Sequence, residues 1–308
     1  MNCVLYSDTM ELYAAFETDI DRIYYDQEGV FEASSGTVSN STVNASNATD
    51  NANNTITDNK KQNNLLVKAK KLIDTIRGYI QKCIDSIIHM LQNAWQTNYG
   101  FMSEIKDAEK KYTPITEPIQ IINWNYKKDI QGFLYRPLND LQTEINRAIS
   151  SLANWRTISS DNVISMDDSD RLKYLFEKIL KAPRDITNFN QYYLWLKKEF
   201  RGDKVTQTIQ GYEVKSYMNK IEQYNNMKRN VVDINNKLKS QVNQTNSTLQ
   251  QLMRSPNIED KEKASIMRYS RAISQMLNMY MNTYRVVIRL HTEYNLNCRA
   301  IVRKLYVK

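Results

Sequence analysis

The fold is decided by residues 273–305, which read ISQMLNMYMNTYRVVIRLHTEYNLNCRAIVRKL. Mostly apolar side chains recur in this stretch at alternating steps of four and three residues. The series consists of Ile273, Leu277, Tyr280, Tyr284, Val287, His291, Tyr294, Cys298, Ile301 and Leu305. This spacing places every member on one side of an α-helix, as in the seam of a coiled coil. The stretch therefore predicts a long helix that packs along its whole length.

A second series with the same alternation precedes this helix, between Tyr217 and Leu252. The segment between the two series is Arg254-Ser255-Pro256-Asn257. In this segment Ser255 is suited to cap a helix, and Pro256 is suited to its first position. We predict an antiparallel hairpin of two helices, residues 212–253 and 257–306, each about 60–75 Å long at 1.5 Å per residue.

The middle of the chain is less regular but also predicts helices. Apolar periodicity predicts helix from residue 64 to about residue 112, then shorter helices at 137–155, 169–181 and 191–200. Residues 119–126 (IQIINWNY) are compatible with a short strand paired with residues 205–209. The predicted fold class is therefore mainly α: an elongated helical bundle with a long C-terminal antiparallel helical hairpin and minor β structure in the middle.

Charge and composition change sharply near the N-terminus. Residues 1–32 contain eight acidic residues and one arginine, a net charge of −7, so the remainder of this chain of net charge +8 carries +15. Residues 33–59 are Ser, Thr or Asn at 17 of 27 positions, which predicts disorder because such residues bury little apolar surface. The predicted regions are an acidic helical head (1–32), a disordered linker (33–63), a helical body (64–211) and the hairpin (212–308).

Arginines lie opposite the seam of the last helix. If the seam occupies heptad positions a and d, the arginines at b or f are Arg268, Arg271, Arg285, Arg289, Arg299 and Arg303. Residues 265–308 contain eight basic residues and a single acid, Glu293. Like charges on one helix face repel each other, so we interpret these arginines as a candidate polyanion-binding surface. An ordinary exposed face, or an acidic partner within the chain, is the open alternative.

Residue types that perform catalysis are scarce. The seven glycines include no G-x-G pair, and the three cysteines are far apart. The two histidines, His89 and His291, have no metal-ligand spacing, and a core role is expected for His291 on the seam. We therefore predict a protein that is not an enzyme, with no catalytic residue, metal or cofactor.

One aromatic and basic stretch lies in the helix predicted at 191–200. Tyr192, Tyr193 and Trp195 precede a group of basic residues, namely Lys197, Lys198 and Arg201. This mixture suits stacking on single-stranded bases, but it is equally typical of core aromatics with cations at their rim. The core interpretation is favoured.

The junction of the acidic head and the linker reads Gly29-Val30-Phe31-Glu32-Ala33-Ser34-Ser35-Gly36. An acidic helical N-terminus that ends in an apolar residue and Glu, followed by small residues, resembles the removable propeptides of internal head proteins in large tailed phages. The resemblance covers about the first tenth of the chain. It implies that a prohead protease cuts between Glu32 and Ala33 and separates the acidic head from the basic remainder.

The expected function is that of a phage virion structural or assembly protein. Expected partners are copies of the chain, other virion proteins and DNA, the last through phosphate contacts, with no small-molecule substrate. The N-terminus has no secretory signal pattern and no apolar run is long enough for a membrane helix, so we expect synthesis in the host cytoplasm and residence in the virion. Two alternatives are open: a self-assembling scaffold or adaptor without nucleic-acid contact, and a membrane-acting helical protein.

Overall fold

The computed structural model describes residues 95–107, 117–255 and 257–306. It also describes part of the preceding stretch, namely Val67, Lys71, Asp74, Thr75, Gly78, Gln81, Lys82, Asp85, Ile87, Ile88, His89, Leu91 and Gln92. All described residues up to residue 107 are helical, as the periodicity predicts. The acidic head, the linker and the Glu32–Ala33 junction lie outside the described residues.

From residue 117 onward the chain is mainly helical, with one small sheet. The helices are α1 (Arg136–Ala153), α2 (Asp168–Tyr174), α3 (Phe189–Arg201), α4 (Val214–Asn225), α5 (Met227–Arg254) and α6 (Asp260–Tyr306). The strands are β1 (Ile119–Trp124) and β2 (Lys204–Ile209). A short π-helix, Gln131–Tyr135, leads into α1, and a second one, Leu175–Ile179, follows α2. The mainly α class with minor β structure is therefore confirmed.

The two strands pair with each other, as predicted, and form an antiparallel ribbon. Ile119 lies opposite Ile209, and Trp124 lies opposite Lys204. One face of the ribbon lies on the body, whereas Ile122 on the other face is 74% exposed.

Gly202 and Asp203 connect α3 to β2. Gly202 has a φ of +61°, and a Cβ on this residue would lie 2.8 Å from the backbone oxygen of Asn125. Both the left-handed backbone and the close approach require glycine here. The turn places the end of α3 beside the start of the ribbon, where Asn125 N–H donates to the Asp203 carbonyl at 3.0 Å.

Helix α6 is the central element of the described chain. It has 47 residues and is about 70 Å long at 1.5 Å per residue. It contacts α1, α3, α4 and α5, and all ten members of the predicted seam are buried. The prediction of a long helix with a packed seam is confirmed.

The helices around α6 differ from the prediction in two places. Residues 212–253 are not one helix, because α4 ends at Asn225 and α5 starts at Met227. Two consecutive asparagines, which favour caps and turns over helix interiors, occupy the break.

The connection to α6 also differs. Ser255 ends α5, with its N–H bonded to the Leu252 carbonyl at 3.2 Å, and α6 begins at Asp260 rather than at residue 257. The side chain of Glu262 accepts a hydrogen bond from the Glu259 N–H at 2.8 Å. Glu262, and not Ser255, therefore pairs with a backbone N–H at the start of this helix.

A buried cluster of asparagines joins three helical segments. Asn98 and Asn295 exchange side-chain hydrogen bonds at 3.0 and 3.3 Å, and Asn98 also donates to Asn225 at 2.8 Å. Asn98 and Asn295 are fully or almost fully buried. Each amide needs its partners once it is removed from water, so the cluster sets the register of residues 95–107 against α4 and α6.

Candidate functional site: the charged face of the long helix

The six arginines of the predicted polyanion surface all lie on α6, but in different surroundings. Arg268 and Arg303 are exposed, whereas Arg271 and Arg289 are partly buried. Arg285 and Arg299 are buried, with exposures of only 7% and 8%. Arg285 and Arg299 are therefore not part of an exposed surface, although they belong to the candidate polyanion-binding set. A heptad pattern identifies the strongest packing face of a helix but does not report what packs on the opposite side.

Between residues 271 and 293, that opposite side carries a line of buried or partly buried polar and charged residues, here called the charged face. It consists of Arg271, Gln275, Asn278, Asn282, Arg285, Arg289 and Glu293. Its members recur at steps of three or four residues, so they lie along one side of the helix. Side chains of α2 reach one end of this face and side chains of α3 reach the other.

At the first end, Asp168 of α2 is shared by two arginines. The Asp167 side chain caps α2 by accepting the Asp170 N–H at 2.8 Å, which places Asp168 in the first turn. Asp168 pairs with Arg171 of its own helix and lies 3.2 Å from Arg271 Nη2. The link between α2 and α6 is therefore ionic.

Gln275 completes this end of the charged face. Its Oε1 accepts from Arg171 Nε at 3.1 Å and from Arg171 Nη2 at 2.5 Å, and its Nε2 donates to Asp168 at 3.1 Å. Burial lowers the pKa of Arg171, and the nearby Asp168 carboxylate opposes that shift. The guanidinium can be buried here because an acid and an amide both accept from it.

At the other end, the Glu293 carboxylate is shared by three cations. Arg201 Nη2 lies 2.5 Å from Oε2, and Lys197 Nζ lies 3.4 Å from Oε1. Arg289 Nε lies 3.8 Å from Oε1, and the Tyr193 hydroxyl donates to the same oxygen at 3.0 Å. Arg289 also stacks on the Tyr193 ring, with its Cζ 4.4 Å from the centroid. Glu293, the only acid in residues 265–308, therefore joins α6 to α3.

At the middle of the charged face, Arg285 has no such ion pair with a carboxylate of the described residues. Asn282 donates to the carbonyl of Asn278 at 3.1 Å and to its side-chain oxygen at 2.9 Å. One turn further on, Nε, Nη1 and Nη2 of Arg285 each expose less than 1 Å², and no atom of the described residues accepts a hydrogen bond from them. Arg285 therefore contributes a buried charge without a protein partner among the described residues.

Beyond residue 293, two further arginines pack on the helix formed by residues 95–107. The guanidinium carbons of Arg299 and Arg303 lie 5.2 and 5.4 Å from the centroid of the Phe101 ring. Arg303 also donates to Glu104 at 3.0 Å. Arg268, near the start of α6, stacks on Tyr269 at 5.5 Å. Only Arg268 and Arg303 of the predicted surface therefore have exposed side chains.

The seam histidine belongs to the core, as predicted. Its Nδ1 lies 2.8 Å from the Tyr135 hydroxyl, and Tyr135 and Tyr224 pack edge-on against its ring. Burial lowers the pKa of His291 to about 4. The imidazole is therefore neutral at pH 7 and contributes to packing.

The aromatic stretch of α3 is also part of the core. Tyr192 and Tyr193 are buried, and burial alone raises the pKa of Tyr192. The Trp195 ring lies 5.7 Å from that of Tyr192. The core interpretation of these aromatics is confirmed. Tyr192 and Tyr193 are too deeply buried to stack on bases, so that interpretation is wrong for them.

The sequence did not indicate Asp168, Arg171 and Gln275 as members of this site. Asp168 and Gln275 are separated by 107 positions, so no local spacing connects them. The available signal was the acidic pair Asp167-Asp168 at a helix start, which predicts a cap and a dipole contact only. Glu293 had a clearer signal, because it is the single acid among many basic residues.

The described residues contain neither a metal-ligand cluster nor a membrane-spanning helix. No three His, Cys, Asp or Glu side chains within them are grouped as metal ligands would be. Among the same residues, no helix is both long and apolar enough to cross a membrane. Comparison of the chain with family models, curated proteins and solved structures gave no match.

Proposed function

We propose that this protein is a non-enzymatic structural or assembly protein of a phage particle, which contacts copies of itself or other virion proteins. The supporting observation is where the charged and the apolar side chains lie. Ion pairs between partly buried charged side chains join α2 and α3 to α6, while several large apolar side chains are exposed on the surface. Rigid bodies with exposed aromatic and aliphatic side chains suit protein contacts. The phage setting rests on the resemblance at Glu32.

Within this body we propose that α5 and α6 form the antiparallel hairpin expected from the sequence. The proposal is supported by the short connection between Arg254 and Asp260 and by the contact between the two helices. Spin labels at the exposed Lys237 and Arg303 would test it. An antiparallel pair places them about 40 Å apart along the axis at 1.5 Å per residue, and a much longer distance contradicts the hairpin.

The surface that we expect to mediate assembly is the ribbon with the turn after it. Ile122 is 74% exposed on the outer face, and Tyr212, three residues after the end of β2, is 81% exposed. The double variant Ile122→Thr and Tyr212→Ser removes apolar surface and retains a β-branched residue in β1. Sedimentation velocity should show oligomers for the wild type and smaller species for this variant.

The control is Val232→Ser, which removes an exposed aliphatic side chain from α5. It should sediment as the wild type does. A wild-type chain that remains monomeric at every accessible concentration contradicts self-assembly. Co-sedimentation with other virion proteins then tests the remaining part of the proposal.

DNA contact is a second candidate, favoured by the net charge of +15 on residues 33–308 and by the exposure of Arg268 and Arg303. Non-specific phosphate contacts give an affinity that falls steeply with salt. The variant Arg268→Gln with Arg303→Gln should reduce the salt slope of binding to duplex DNA by about two. Binding that is absent at low salt in the wild type contradicts this candidate.

Processing at Glu32 is tested on protein taken from purified particles. Intact-mass measurement should give a chain that begins at Ala33, because the resemblance places the cut between Glu32 and Ala33. A chain that still carries residues 1–32 contradicts processing. A protein that is absent from the particles contradicts the virion assignment itself.

A further inference from the structure

The guanidinium of Arg285 is removed from water, and no acceptor among the described residues replaces that water. The side chain is 7% exposed, and its three nitrogens have no acceptor among the described residues. Transfer of a charged group to the protein interior is costly unless an opposite charge and hydrogen bonds replace the lost water. Five N–H groups of this side chain therefore require acceptors.

The charged groups described along the same face do not provide them. Among the described residues, the cations on or against the charged face are Arg171, Lys197, Arg201, Arg271, Arg285 and Arg289. The carboxylates described there are Asp168 and Glu293, and each is shared by at least two of the other cations. Neither carboxylate accepts a hydrogen bond from Arg285, which lies between these two acidic ends of the face.

We propose that Arg285, together with Arg289 one turn away, binds a small inorganic anion inside the protein. The planar guanidinium presents paired donors that fit an oxyanion, so phosphate is the preferred class and chloride a weaker one. Arg289 presents its charge on the same side of the helix while it contacts Glu293 and the Tyr193 ring. The bound anion balances the charge at the middle of the face, as Asp168 and Glu293 do at its ends.

The test is thermal unfolding of the full chain in a gluconate buffer into which phosphate or chloride is titrated at constant ionic strength. A ligand that binds only the folded state raises Tm in a saturating manner, and we expect a rise of a few degrees in the wild type. Isothermal titration calorimetry with phosphate should give one site per chain.

Arg285→Met keeps most of the side-chain volume and removes the charge and the donors. In gluconate this variant should be at least as stable as the wild type, because an unbalanced buried charge is gone. Its Tm should no longer respond to phosphate, and the calorimetric signal should disappear. Arg285→Lys keeps the charge without the planar fork, so its phosphate titration should shift to roughly tenfold higher concentration.

The control is Arg268→Met, which removes an exposed arginine from the same helix and should leave the phosphate response unchanged. An equal response in wild type and Arg285→Met means that phosphate acts on the surface, and it overturns the proposal. A wild type without any anion response, together with a strongly destabilised Arg285→Met, means that a carboxylate of the chain pairs with Arg285. That outcome overturns the proposal as well.

Discussion

At the scale of single residues, Glu293 takes part in more charged contacts than a single surface ion pair provides. Its carboxylate contacts Lys197, Arg201 and Arg289 and accepts from the Tyr193 hydroxyl. Removing such an acceptor leaves several partly buried cations without a counter-charge, which costs more than the loss of a single surface pair.

We therefore expect Glu293→Gln to lower the free energy of unfolding by about 1–3 kcal/mol, since the amide keeps the shape but loses the charge. Urea unfolding followed by circular dichroism measures this change. Glu199→Gln removes an exposed acid from α3 and should have an effect below about 0.5 kcal/mol. Equal effects of the two substitutions would show that the cluster around Glu293 does not contribute to stability.

His291 gives the protein an acid-sensitive core. The pKa of its imidazole is lowered from 6.5 to about 4 by burial. In the unfolded chain the same side chain takes up its proton below about pH 6.5, so unfolding binds a proton between the two values. The contribution of the neutral imidazole is fully present above pH 6.5 and is lost as the pH falls toward 4.

For the wild type we expect a loss of roughly 3 kcal/mol from this residue over that window, at about 1.4 kcal/mol per pKa unit. His291→Gln retains a hydrogen-bonding partner for the Tyr135 hydroxyl and does not titrate. The difference in unfolding free energy between the two proteins should therefore shrink on acidification from pH 7 to about pH 4.5. A pH-independent difference would show that His291 is not the titrating group.

At the scale of elements, two glycines differ in what their backbone requires. Gly202 has a positive φ, and a Cβ would approach the Asn125 oxygen to 2.8 Å. Gly100 lies within helical residues 95–107, with nothing within 4 Å of a Cβ. The same substitution should therefore act in opposite directions at the two positions.

Gly202→Ala should destabilise the protein by about 1–3 kcal/mol, because the cost of the strained backbone and the cost of the close contact add up. Gly100→Ala should stabilise it by about 0.5–1 kcal/mol through helix propensity. Thermal unfolding of both variants compares them directly. A neutral Gly202→Ala would mean that the end of α3 shifts without cost.

The elements also show what the sequence could and could not predict. The alternation that runs from Ile273 to Leu305 predicted α6 and its buried seam, and IQIINWNY predicted β1 with its partner. These patterns are local, so one segment contains all the information. The links at the two ends of the charged face could not be predicted in this way, because Arg171 and Gln275 are 104 positions apart and Arg201 and Glu293 are 92 positions apart.

At the scale of the whole molecule, α6 contacts helices from several parts of the described chain, so its core should unfold together with theirs. Leu277→Ala removes a seam side chain that is almost fully buried, and should lower stability by about 2–5 kcal/mol. Circular dichroism and tryptophan fluorescence should report the same shifted midpoint, since Trp124, Trp155 and Trp195 lie outside α6. Val232→Ala, at an exposed site, should leave both midpoints nearly unchanged.

The position of α6 along the chain has a consequence for synthesis on the ribosome. Every other described element precedes it, yet α1, α3, α4 and α5 all pack on it. Until α6 leaves the exit tunnel, the apolar sides of those helices have no partner there and stay open to chaperones or to neighbouring nascent chains. The contacts that complete the core also join distant positions, which favours slow folding. A ribosome-stalled chain that ends before residue 260 should therefore be protease-sensitive, and protection should appear only after α6 has emerged.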